Sequence, residues 1–260
     1  MPRLDFPTYL QHIGAESRRF RDVLAEVDPA ADVPTCPDWR ADDLLWHLGE
    51  VQHFWTSMVT NRPKGPDDYD QPERPGDHAG LLAFYDQRFV ALVDALGAAD
   101  PTDEAWTWSQ DHTVGFIGRR QAHEALIHRL DAELTAGTVT EMDSRLAHDG
   151  VLEVLERMFA AVPPWATHEL DGPVGGIATT DTGGDWLVQI GHWSGLSPDT
   201  GTTYDDEPTL TVVNSGWPEF TVSGRADDLD CWLWNRPIRG PITLDGEVSE
   251  FRDVISSGVR

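Results

Sequence analysis

Residues 118–134, GRRQAHEALIHRLDAEL, have no Pro and no Gly after the first position, and they are rich in good helix formers. They predict a helix of about four turns. At about 100° per residue, Glu124 and His128 stand about 40° apart on its surface, with Asp131 on the same side. The apolar stripe, Leu126, Ile127, Leu130 and Leu134, is centred about 100° or more away. A carboxylate and an imidazole therefore flank the seam that faces the core. On its own, such an i,i+4 pair reads as a surface pair worth a few tenths of a kcal/mol. His123 falls in the centre of the leucine stripe and reads as a core histidine with one hydrogen bond.

Towards the N-terminus, residues 33–59 read VPTCPDWRADDLLWHLGEVQHFWTSMV. Pro37 and Asp38 predict a turn, and a helix of about 20 residues begins near Ala41, with Asp42 and Asp43 suited to the positive end of its dipole. Its stripe is Leu44, His47, Leu48, Val51, Phe54, Trp55 and Met58. His47 takes the place of an aliphatic residue, either as a hydrogen-bonded core histidine or as a metal ligand held by packing. His53 points elsewhere and reads as solvated. Residues 5–28 and 80–97 predict two more amphipathic helices. Residues 61–79, rich in Pro, Gly and Asp, predict a long surface loop, and residues 98–118 a second loop. Four helices make an N-terminal bundle, a fold in which metal sites are built from facing helices. Trp39, Trp46, Trp55, Trp106 and Trp108 read as core, with some free to wall a cavity.

After Gly137 the pattern changes. Residues 148–162 predict one more helix, residues 163–185 are too rich in Gly, Pro and Thr to be helical for long, and strands follow at 186–192, 209–213, 219–223 and 241–244. A short helix lies in ADDLDCWLWNRP, residues 226–237. The predicted division is a helical metal-binding bundle over residues 1–148 and an α+β domain over residues 149–260.

Nineteen Lys and Arg against 45 Asp and Glu give the 260 residues a formal net charge of −26, which repels nucleic-acid phosphates and anionic membrane surfaces. Two cysteines, Cys36 and Cys231, are too few for a disulfide framework or a thiolate cage, and both read as packing. No export signal and no apolar run of the ~18 residues a membrane span needs is present, so the expected location is the cytoplasm.

Taken together, His47, Glu124 and His128 are two imidazoles and a carboxylate, a set zinc takes when a fourth position stays open for water or substrate. Helix spacing fixes two of them; bundle packing must bring the third. The stretches CPDWRADDLLWHLGEV (36–51), RRQAHEALIHRLDAE (119–133) and VSGRADDLDCWLWNRP (222–237), in this order, resemble the mycothiol-dependent maleylpyruvate isomerase family of actinobacteria.

That resemblance implies a DinB-like four-helix bundle followed by a smaller sterol-carrier-protein-like α+β domain. It implies zinc or another divalent metal on His47, Glu124 and His128, mycothiol as thiol cosubstrate, and isomerisation of, or S-transfer to, a small maleylpyruvate-like electrophile. It also implies a catalytic arginine in the second domain, for which Arg236 is the candidate, with Arg260 as the control for its replacement. Lys64 is the sole lysine, so a dicarboxylate falls to arginines such as Arg119, Arg120, Arg129 or Arg236, each otherwise a surface charge. Two other classes fit the same bundle: a non-catalytic metal- or small-molecule-binding protein, and a metal-dependent hydrolase.

Overall fold

In the computed structural model, which describes residues 2–258, polar side chains meet the free amides at the start of each N-terminal helix. Asp5 accepts from the Thr8 amide at the head of α1 (Phe6–Leu24), and Asp77 from the Gly80 amide at the head of α3 (His78–Gly97). In α2 (Ala41–Thr60) the Asp43 carboxylate reaches back to the Arg40 amide at 2.9 Å. The decisive helix, α4 (Val114–Ala136), starts four residues before Gly118 because Thr113 caps it through the Phe116 amide. It stops at Gly137, whose φ of 71° lets the Thr138 amide return to the Glu133 carbonyl at 3.0 Å. Residues 25–28, predicted as helix, lie beyond the end of α1.

The chain parts into two compact units, Leu4–Glu141 on one hand and residues 142–258 with residues 2 and 3 on the other. In the first, α1 packs on α4 and α3, and α2 packs on α3 and α4. Phe20, Leu24, Leu44, Leu45, Leu48, Leu81 and Tyr85 form its core, each such side chain stabilising the unit by about 1.5–3 kcal/mol through burial. The predicted division at residue 148 falls within α5 (Ser144–Glu153).

The second unit holds a six-stranded sheet. A long hairpin, β3 (Asp185–Leu196) and β4 (Thr203–Val213), outgrows both predicted strands. Along the other edge of β3 lie β1 (Thr167–Glu169) and β2 (Val174–Thr179), end to end. Both fall in residues 163–185, the stretch too rich in Gly, Pro and Thr to be helical for long, where no strand is predicted. β2 then pairs in parallel with β5 (Phe220–Gly224), which pairs antiparallel with β6 (Thr243–Gly246). Gly175 is required in β2, since a Cβ there would run into the buried Phe220 ring.

The helix predicted at 148–162 is α5 continued by a π turn, Val154–Met158. With α6 (Ala226–Leu233) and α7 (Ser249–Ser256), it shares one apolar cluster with the sheet that includes Val151, Ile177, Val188, Leu229 and Phe251. The architecture is thus a helical unit followed by an α+β unit. Arg260 lies outside the described residues.

Candidate functional site

The contact of α2 with α4 brings three side chains to one point. His47 Nε2 lies 3.6 Å from Glu124 Oε1, and His128 Nε2 lies 3.2 Å from the same oxygen. One ligand atom from each lies within 4.8 Å of the others, and among the described residues this is the one such group of His, Cys, Asp or Glu. The two imidazoles meet nearly edge to face, at 4.9 Å between centroids and 79° between planes.

Around this trio stands a second set of residues. The other oxygen of Glu124 accepts from Arg120 Nη2 at 2.8 Å. His128 Nδ1 bonds Asp131 Oδ2 at 3.0 Å, and Asp131 Oδ1 accepts from the Thr35 hydroxyl at 2.6 Å. Thr35 sits in a tight loop closed by Val33 N–H to the Trp39 carbonyl at 3.1 Å and Trp39 N–H to the Cys36 carbonyl at 2.8 Å. The same loop sets the Trp39 ring 4.6 Å from His47 and 6.3 Å from His128.

Charge follows from these contacts. Burial alone would raise the Glu124 pKa, but hydrogen bonds from His128 and His47 and the Arg120 guanidinium outweigh it and hold the carboxyl well below its ordinary range. Burial alone would likewise lower His128. Its bonds to Asp131 and Glu124 win, and its pKa is raised to about 9.

Glu124 and His128 are therefore not a surface pair. From Phe116 to Glu133 every residue of α4 except Glu124 is buried, and Glu124 itself is half-buried. His47 is aimed at Glu124 with 32 % of its side chain exposed, so solvent reaches the trio from α2. His123 is a core residue, edge-on to Tyr9. His53, predicted as solvated, is half-buried: its Nε2 bonds the Asp70 carbonyl, Arg88 bonds its Nδ1, and burial lowers its pKa.

The arginines of α4 are not surface charges either. Arg119, Arg120 and Arg129 are all buried. Arg129 holds Glu16 at 2.7 Å and Glu133 at 2.9 Å, which engages it within this unit. Arg236 belongs to the second unit; it is half-buried after α6, its Nη1 donating to the Trp234 carbonyl at 2.7 Å.

Cys231 is buried against Met142, and burial pushes its thiol up to about 12. Of the tryptophans read as core, Trp55 is buried but Trp108 is exposed. Asp131 is visible in the sequence only as a neighbour on the face of His128. Thr35 and Trp39 carry no sequence signal for their contacts.

No helix among the described residues is long and apolar enough to cross a membrane. No curated protein matches the chain. A crystal structure of the mycothiol-dependent maleylpyruvate isomerase superposes with a TM-score of 0.61 at 15% identity, covering 96% of this chain and 98% of that one. A mutant of that isomerase gives 0.60 at 14% over the same shares. At these identities the likeness establishes the fold. Residues 10–133, which carry the trio and its supporting residues, match the family described as mycothiol maleylpyruvate isomerase N-terminal domain. The likeness to the mycothiol maleylpyruvate isomerase family in sequence is thus carried by the helical unit, the one that holds the trio.

Proposed function

We propose that the chain is a cytoplasmic, zinc-dependent enzyme that uses mycothiol to isomerise, or to transfer the thiol to, a small electrophile of the maleylpyruvate kind. On this reading the helical unit is a DinB-like bundle and the sheet unit is a relative of sterol-carrier-protein folds. The observation that carries the proposal is the convergence of His47, Glu124 and His128 from two helices, within 4.8 Å. Two imidazoles and one carboxylate fit zinc with an open fourth position better than they fit a hard cation, which prefers oxygen. When bound, the metal supplies the Lewis acidity that makes a thiol available as thiolate at neutral pH, the nucleophile for an activated double bond.

The chain's own residues prepare that chemistry. Arg120 occupies one oxygen of Glu124 and leaves the other facing both imidazoles. The proton on His128 Nε2 must leave for that nitrogen to act as a donor, while the Nδ1 proton stays on the Asp131 bond. Trp39 lies beside both imidazoles and packs against His47. Arg236, the candidate for a carboxylate of substrate or thiol, completes the proposal.

The test is turnover of maleylpyruvate by zinc-loaded protein with and without mycothiol. Thiol-dependent turnover is the expected result, and Arg236→Ala should keep zinc while losing turnover or thiol affinity. Thiol-independent hydrolysis of an ester or amide would instead establish the hydrolase, and zinc binding with neither activity the binding protein.

A further inference from the structure

The loop before α2 reaches the trio by two routes, and one of them ends on an atom of a candidate ligand. Thr35 Oγ1 donates to Asp131 Oδ1 at 2.6 Å, and Asp131 Oδ2 lies 3.0 Å from His128 Nδ1. A carboxylate oxygen can only accept, so Nδ1 carries a proton and the lone pair available for ligation belongs to Nε2. That nitrogen is the one 3.2 Å from Glu124. Asp131 is fully buried and His128 nearly so, so water does not readily take the place of either partner. The carboxylate is itself held from its far side by Thr35, whose loop is closed by the backbone bonds of Val33 and Trp39.

We infer that Asp131 and Thr35 are positioning residues of this site: Asp131 fixes the tautomer and direction of the His128 imidazole, and the Thr35 hydroxyl fixes Asp131. The inference rests on the metal site proposed above. It adds that the loop of residues 33–39, far from α4 in sequence, sets the affinity of that site without touching the metal.

Asp131→Asn keeps the shape of the side chain but can turn an N–H towards Nδ1, which moves the ring proton to Nε2 and blocks the donor. It should weaken zinc binding about 10- to 100-fold, the range found when the partner of a ligating histidine is changed. Thr35→Val should weaken it less, and Thr35→Ser should restore the parent affinity. Zinc affinity is read by competition with a chromophoric chelator. A second readout, in zinc-free protein, is the His128 Nδ1 proton in nitrogen-15 spectra: slowly exchanging in the parent and in Thr35→Ser, lost to fast exchange in Asp131→Asn.

Parent-like zinc affinity in Asp131→Asn, with an unchanged Nδ1 proton, overturns the inference while leaving the metal site standing. If His47→Ala, Glu124→Ala and His128→Ala all bind zinc like the parent, the metal site itself is wrong. The Nδ1 proton then decides: its persistence in Asp131→Asn overturns the positioning of His128, and its loss upholds it.

Discussion

The raised pKa of His128 makes the metal-free protein a proton-binding device whose stability must fall as pH rises. The imidazole titrates near 6.5 in an unfolded chain and at about 9 in the folded one. Below pH ~6.5 both states hold the proton and the full stabilisation is present; between ~6.5 and 9 only the folded state keeps it, and the benefit is lost. A difference of about 2.5 units corresponds to about 3 kcal/mol, of which about 2 disappears between pH 6.5 and 8.5.

Two other groups stay outside that window. His53 is lowered by burial, so its contribution is lost only as pH falls below about 6.5. The Cys231 thiol, pushed up to about 12, acts only above the ordinary thiol value of about 8.5. The assay is urea unfolding of chelator-treated protein at several pH values, for the parent and for His128→Gln. Their difference cancels the remaining titrating groups and should shrink by about 2 kcal/mol across the window. Zinc reverses the sign, because ligation through Nε2 needs that proton gone, and affinity should climb with pH up to about 9. A difference between parent and variant that is flat or grows over this range would refute the hydrogen bonds of His128 to Asp131 and Glu124.

Among single substitutions, His47→Ala, Glu124→Ala and His128→Ala should each remove most of the one zinc per chain, while His123→Ala and His53→Ala keep it; metal analysis of the five decides. Arg129→Met takes from Glu16 and the fully buried Glu133 the cation they share, leaving Glu133 with Arg19 and Thr140, and should cost about 1.5–3 kcal/mol in urea unfolding. Arg74→Met, whose bond to Asp43 is exposed, should stay within about 1 kcal/mol, and equal losses would contradict the burial described for Arg129. Gly175→Ala forces a methyl into the Phe220 ring and should cost about 1–3 kcal/mol; a thermal midpoint at or above that of the parent would show that β2 and β5 do not approach so closely.

The helices that the sequence shows most plainly are those with one dry side. In α2 and α3 the apolar stripe and the acidic caps agree, and the predicted starts fall within two residues of the observed ones. Strands are harder, because their stability is not local. Residues 174–179 contain adjacent glycines, which weaken a strand taken alone, yet they form β2 because β3 and β5 supply hydrogen bonds on both edges. α7 escapes the sequence for another reason. Phe251, Val254 and Ile255 have helical spacing and are buried, but eight residues are too few for periodicity to stand out from chance.

The burial of the candidate site contradicts one assumption: that a charged face of a helix is a wet one. A helical wheel ranks faces by hydrophobicity, which works when one side packs and the other is solvated. α4 packs on both α1 and α2, and charged side chains lie within its buried length. Each of those with a resolved contact is matched nearby: Arg129 by Glu16 and Glu133, Arg120 by Glu124, His128 by Asp131. Pairing, not apolarity, lets these groups be buried, and pairing with another helix or a distant loop leaves no period in the sequence. What local spacing does record is the i,i+4 relation of Glu124 to His128 and the i,i+3 relation of His128 to Asp131. Those two relations survive as contacts, whereas Thr35, 96 residues from its partner, enters only when the chain has folded.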